Sequence, residues 1–467
     1  MSAVIPAAPH KPASSPAAAP VRTPLRPDAD VMGLVGIAHL ISHFSQLLLA
    51  PLFPWLKTEF GVSYTELAFL LTLFFGVSCA AQAVSGFWVD RHGPRPILFA
   101  GLALLGAAAF GYAISTSYWM LAAFAIVGGV GNGVFHPVNY TLLNRKISAH
   151  RLGHAYSVHG ITGSLGWALA PAMMVALTYA YSWRAAVAAA GVLTLAVLAV
   201  LVINRRKLLL PDAAKSQVAG TDADAEADAD VDAAEDINVR INSDALSTPA
   251  RTAAPVAAPV AAPIAAASSF AFLRIPAVWM CFSFFFWYAA ALSVVQAFAP
   301  EAARQLHNVP VALVALCLTV YMLLSAGGMV LGGFLAADAS RCERIVGASF
   351  AVAAAVAVLL ALGKFEQWGS WVVPALFGVM GFASGIAGPS RDLLVKRSTP
   401  ANASGRVYGV VYAGLDIGQA AAPLLFGLLM DNGQYRSVLL GLAVLQAVLI
   451  VSAFNVRRVR RTAVAGA

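Results

Sequence analysis

Charge is scarce in this chain. Only 11% of its 467 residues are charged, against about a quarter in a typical soluble protein, while 60% are hydrophobic and the mean hydropathy is +0.76. That balance excludes a water-soluble globular domain. Cysteine is scarce too: Cys79, Cys281, Cys317 and Cys342 have no paired spacing, so neither a disulfide framework nor a zinc framework is present. The chain also lacks Gly-x-x-x-x-Gly-Lys-Ser/Thr, His-Glu-x-x-His and Gly-x-Ser-x-Gly, so no enzyme chemistry, no cofactor and no ATP hydrolysis are expected of it. Met1 to Asp30 is Pro/Ala-rich, without a basic segment leading into an apolar one, and does not read as a signal peptide. The formal net charge of +8 does not point to nucleic acid, because the basic residues form short clusters between apolar runs.

Those apolar runs are the dominant feature. Each is about 20 residues, enough to span a hydrocarbon core of about 30 Å. A backbone in lipid must satisfy its own hydrogen bonds, so each run is expected to be a helix. Twelve spans are expected, beginning near Val31, Glu66, Pro96, Trp119, Gly153, Ala185, Pro276, Val311, Ile345, Trp371, Val407 and Ser437. The organisation is therefore a disordered tail over 1–30, a six-helix half over 31–204, a disordered linker over 205–274, a second half over 275–456 and a basic tail over 457–467. The linker runs through alternating Ala and Asp/Glu from Thr221 and then Ala-Ala-Pro repeats, with little to bury.

The two halves repeat each other at an offset of 252 positions. Gly153-His-Ala-Tyr156 matches Gly405-Arg-Val-Tyr408, and Trp183-Arg184 matches Tyr435-Arg436. Gly166 matches Gly418, Pro171 matches Pro423, and Gly133 to Pro137 matches Gly385 to Pro389. An all-α integral membrane protein of two pseudo-symmetric six-helix halves is the usual build of a secondary transporter, with its site between the halves. With the N-terminus inside, the inside segments hold 24 Lys and Arg and the outside ones 5. Both termini and the linker are therefore expected on the cytoplasmic side of the inner membrane.

Between spans 2 and 3 lies Gly86-Phe-Trp-Val-Asp90-Arg91-His-Gly93-Pro-Arg95. It resembles the signature loop of the major facilitator superfamily, keeping Gly86, Asp90, Arg91, Gly93 and Arg95, with a degraded copy from Gly333 to Asp338 followed by Arg341 and Arg344. The resemblance implies the major facilitator fold and a conformational role for the loop. A carboxylate such as Asp90 is stabilised at a neighbouring helix N-terminus and can be released as the halves rock. The first half, roughly Gly36 to Pro171, resembles the fosmidomycin-resistance branch more narrowly, through His39-Leu-Ile-Ser-His43, Leu52-Phe-Pro54 and Phe135-His136-Pro137. Such proteins often carry an acid where His43 stands.

The candidate substrate-binding or coupling residues lie in the spans. His39 and His43 are four apart and share one helix face, with His43 near mid-membrane. Neutral imidazoles are tolerated there and can handle protons or contact substrate; structural hydrogen bonding to neighbouring helices is the alternative. Without an identifiable third ligand, no metal is expected. His136, Asn139 and His159 join the candidates. Asp416, ten residues into span 11, is the only carboxylate near the middle of a span, expected as proton carrier or counter-ion, or else paired with Arg91 or Arg391. Arg391 with Asp392 is expected either to take an anionic group through its planar fork or to lock helices as an ion pair. Pro137 and Pro389 are expected to kink or bend their helices.

The expected activity is H⁺-coupled export of a small polar or anionic organic compound by a monomer, with membrane lipid, substrate and protons as partners. H⁺-coupled uptake of a small carboxylate stays open, and a transporter-like membrane sensor is the reading from another class.

Overall fold

The computed structural model describes residues 25–148, 151–210, 276–336, 341–365, 369–398 and 404–465. Among the described residues, twelve helical spans are long and apolar enough to cross a membrane, and no strand occurs. In the first span α1 (Leu25–Gln46) gives way to a short 3-10 turn, Ala50–Leu52, and then α2 (Phe53–Phe60). Pro51 and Pro54 set these restarts, each in a first-turn position where a missing N–H costs nothing. Span 2 is α3 (Tyr64–His92), opened by a capping box in which Ser63 and Glu66 satisfy each other's backbone N–H groups. Gly93 alone separates it from α4 (Pro94–Ile114). Its φ of 78° lies in the region that favours glycine, which explains the glycine in the signature loop.

Span 4 is broken rather than bent. It consists of α5 (Tyr118–Asn132) and α6 (Phe135–Lys146), with the break one turn before Pro137. Pro137 has no N–H for the Gly133 carbonyl, and the Ser85 hydroxyl donates to that carbonyl instead at 3.3 Å. Two further helices, α7 (Leu152–Ala180) and α8 (Trp183–Ile203), complete the half. The second half contains α9 (Pro276–Ala297), α10 (Ala299–His307), α11 (Val311–Leu335), α12 (Cys342–Leu362), α13 (Val372–Ser398), α14 (Ser404–Asp431) and α15 (Tyr435–Ala465). Pro389 sits inside the uninterrupted α13, so no break accompanies it there.

The sequence repeat is a packing repeat. In the first half α7 crosses α1, and in the second α14 crosses α9. A methyl group at Gly166 would lie 2.2 Å from the Leu40 carbonyl oxygen, and one at Gly418 would lie 2.3 Å from that of Phe286. Only a missing Cβ permits such backbone approach. The halves meet along α3 with α14 and α7 with α11.

Three boundaries differ from expectation. Helix α1 starts at Leu25, within the segment expected as tail, because Asp28 accepts hydrogen bonds from Ser148 Oγ (2.8 Å) and Arg151 (2.9 Å). Arg205–Leu208, expected as linker, forms a 3-10 turn with Leu208 buried. It is held by Lys207 on Asp30 at 3.0 Å and by Lys146 Nζ on the Leu209 carbonyl at 2.6 Å. At the far end, α15 runs on through the basic stretch to Ala465. The rest of the expected linker, 211–274, lies outside the described residues.

Candidate functional site

Helical spacing places His39 and His43 one above the other on α1, with ring centroids 4.2 Å apart. The tight crossing of α7 brings His159 face to face with His39 at 3.6 Å. Gly163 makes the crossing compatible with two imidazoles: a methyl there would fall 2.8 Å from His43 and 2.9 Å from His39. From α6, just past the break in span 4, His136 reaches within 5.7 Å of His39 and 6.4 Å of both His43 and His159. Four histidines from three helices therefore meet inside the first half. All four are candidates from the sequence; what chain order does not reveal is the contact itself, which brings His136 of span 4 and His159 of span 5 onto the α1 pair. They meet by faces and edges; among the described residues no three His, Cys, Asp or Glu side chains are disposed to hold a metal ion.

The fully buried Asn139 organises the cluster. Its Nδ2 lies 3.4 Å from His39 Nδ1 and 3.2 Å from His159 Nε2. An amide nitrogen only donates, so both ring nitrogens are acceptors and carry no proton in this arrangement. Asn139 Oδ1, His43 Nδ1 and His136 Nδ1 have no hydrogen-bond partner among the described residues. Buried orphans of this kind are costly, and a proton or a polar ligand would satisfy them.

Below the imidazoles is a satisfied network that the sequence did not flag. Trp167 stacks on His43 at 4.2 Å and donates its indole N–H to Gln46 Oε1 at 2.9 Å. Gln46 Nε2 (3.1 Å) and Ser42 Oγ (2.9 Å) both donate to Asn132 Oδ1. Asn132 Nδ2 donates to Ser78 Oγ at 2.9 Å. The signal was available in part: Ser42 and Gln46 extend the His39–His43 face by helical spacing, and Asn132 is a polar residue in a glycine-rich apolar run.

Across the molecular centre, Arg391 on α13 lies with its guanidinium 4.3 Å from the Tyr288 ring and 5.5 Å from that of Phe285. Phe285 stacks on Tyr412 at 5.2 Å, and Tyr412 faces His136 of the other half at 6.2 Å. A wall of rings thus runs from the imidazole cluster to Arg391. Asp416 is buried on α14, with Oδ2 unpartnered among the described residues. No hydrogen bond or ion pair joins it to Arg391, Arg91 or His43 among those residues; its electrostatic neighbour is the Cys79 thiol on α3. The backbones of Asp90 and Asp392 are helical, and their side chains lie outside the described residues. Arg91 is exposed and Arg95 half-buried beside the Gly93 turn.

At the α3 N-terminal end, the two halves are sealed together. Asp431 of α14 accepts from the N–H groups of Tyr64 (2.7 Å) and Thr65 (2.8 Å) and from the Thr65 hydroxyl (2.6 Å). Tyr64 donates to Glu301 at 3.3 Å, and Glu301 holds Arg304 through two hydrogen bonds, which push the guanidinium pKa up.

The family model described as Major Facilitator Superfamily matches residues 35–383 and 281–466. The fosmidomycin resistance protein of Escherichia coli (strain K12) is 27% identical over 172 residues, 35% of this chain and 40% of that protein. The uncharacterized MFS-type transporter YfnC of Bacillus subtilis (strain 168) is 27% identical over 142 residues, 30% of this chain and 34% of its own length. The chain thus aligns with well under half of each relative. A solved bacterial homologue of the human lysosomal transporter Spinster, in an inward-facing and occupied conformation, superposes with a TM-score of 0.67 at 12% identity. That superposition covers 92% of this chain and 97% of the other, a likeness of fold.

Proposed function

Because the chain belongs to the major facilitator superfamily, a family of multi-pass membrane transporters, we propose that it moves a small polar or anionic organic compound by H⁺-coupled export. Alternating access of the two halves would carry the substrate across the inner membrane, with both termini cytoplasmic. One observation carries this reading: His39, His43, His136 and His159 gather at the centre of the first half, opposite Arg391 of the second. The imidazoles supply proton acceptors, and Arg391 supplies the cation for an anionic group. Orphaned nitrogens on His43 and His136 support a state-dependent proton or ligand contact. The relative named for fosmidomycin resistance favours export as the direction to test first.

The test is a proteoliposome assay with a pH dye trapped inside. A thermal-shift screen of small organic acids on the purified protein selects binders, since binding raises apparent stability. Each binder should then drive protein-dependent proton movement when added to one side, in the direction of exchange. Binders carried at a rate independent of the pH gradient, with no proton movement, would overturn the coupling.

A further inference from the structure

Resting on the transport reading above, we infer that Gln296 is a substrate-contact residue at the sealed end of the bundle. Its amide N–H meets a carboxylate or carbonyl oxygen of the substrate as the halves part there.

A cavity between the halves carries this. Pro51, Trp55 and Pro171 line it from the first half, and Pro300, Val314 and Leu318 line it from the second. Its volume is about 30 Å³, room for little more than a water molecule, so its walls must separate before anything larger enters. Beside it Phe298 packs on Phe53 and Tyr64, again from one half to the other. The cavity therefore belongs to the contact that alternating access opens, and its walls become the sides of the passage.

Among the lining side chains Glu301 carries a charge and Gln296 an amide; the rest are proline, aliphatic or aromatic. Glu301 is occupied, because Arg304, Gln305 and Tyr64 all donate to it. Its charge is answered by Arg304, so it does not turn an anion away. Gln296 is different. Only 5% of it is exposed, yet its Nε2 has no hydrogen-bond partner among the described residues. A buried donor without an acceptor weakens a fold, and such groups are few. The first half shows how an amide at this depth is satisfied when its role is structural. Gln46 closes α1 much as Gln296 nearly closes α9, and it accepts from Trp167 and donates to Asn132. The hydrocarbon around Gln296 offers no such acceptor, so a ligand has to bring one. A carboxylate oxygen is the strongest match, since a hydrogen bond to a charged acceptor is about twice as strong as a neutral one. The apolar walls suit the carbon skeleton attached to it.

The experiment measures uptake of radiolabelled pyruvate, succinate and benzoate by membrane vesicles of two orientations, one presenting the sealed end outward and the other the opposite end. Gln296→Leu fills a similar space and removes the amide. For the acids that the wild type carries, it should raise KM about tenfold from the sealed end, the scale of one hydrogen bond to a charged group. KM from the opposite end should stay as it was. Gln296→Asn keeps an N–H and should fall between the wild type and Gln296→Leu. The same Gln296→Leu protein should unfold at a higher temperature than the wild type, because an unpaired donor has left a buried site. Stability gained while affinity is lost at one end is the mark of a ligand contact, which a structural amide would not show. An unchanged KM at the sealed end, an equal rise at both ends, or a lower unfolding temperature in Gln296→Leu would each overturn the inference while transport of acids stands. Failure of the wild type to carry any of the three would instead overturn the transport reading itself.

Discussion

Gly163 sets how near α7 comes to the two histidines of α1. Gly163→Ala puts a methyl 2.8 Å from the His43 ring, forcing His43 and His39 to move. Such overpacking costs about 1–3 kcal/mol, and the displaced imidazoles should reduce pH-driven transport by more than the stability loss explains. Gly160, one turn earlier on the same helix, meets nothing within 4 Å, so Gly160→Ala should be neutral or slightly stabilising. Thermal unfolding and proteoliposome flux of the pair check this; equal effects from both would show that helix propensity, not room for the histidines, is what matters. Under the proposed H⁺ coupling, a second question is which group would carry the proton. Asp416 and His43 are buried on different helices with no contact between them, so they do not act as one hydrogen-bonded unit. Asp416→Asn mimics the protonated acid and should abolish accumulation against a gradient while leaving equilibrium substrate binding intact. If that variant transports uphill with normal pH dependence and His43→Gln does not, the proton belongs on α1.

At the scale of helices, the spans were legible because lipid imposes the same rule on each: about 20 apolar residues bounded by charge. The repeat was legible because Gly166 and Gly418 answer one steric demand twice, at two crossings of like geometry. Lateral contacts were not legible. His159 stacks on a ring 120 positions away in chain order, and the pairing follows from how the helices are arranged rather than from any local pattern. Span 4 was expected to kink or bend at Pro137; the break falls one turn earlier, at Gly133 and Val134, where Ser85 can take the freed carbonyl. The same limit hid Asn132, which ties α1, α3 and α5 together through Ser42, Gln46 and Ser78. Asn132→Leu strands those groups in an apolar interior at about 1–3 kcal/mol for each one left unpaired. It should lower the unfolding temperature and, by freeing Gln46 and the Trp167 it anchors, loosen the stack on His43. Loss of stability with an unchanged pH profile of transport would make the network structural alone.

At the scale of the whole molecule, two features bear on the transport cycle, one through sequence and the other through structure. Composition gives the 221–250 stretch little to bury, so its deletion should leave membrane insertion and transport nearly intact; a large loss of transport at equal abundance would favour the sensor reading. The other feature is the seal where α14 meets the start of α3. Asp431 supplies acceptors that the N-terminal N–H groups of α3 cannot find within their own helix, and its charge is favoured by the helix dipole. These bonds cross from one half to the other, so they hold this end of the bundle closed and must break when it opens. Hydrogen bonds to a charged group contribute about 1.5–3 kcal/mol, so Asp431→Ala should shift the closed-to-open ratio by about ten- to a hundredfold. Spin labels on α2 and α10, one on each half near this end, should show a longer mean distance in Asp431→Ala and an intermediate one in Asp431→Asn. Glu59→Gln is the control: its carboxylate lies near the same end but pairs with Arg184 inside the first half at 2.6 Å, so the label distance should not change. If Asp431→Ala leaves the distance distribution where it was, the seal rests on the apolar contacts of Phe53 and Tyr64 with Phe298, and Asp431 only caps its neighbour.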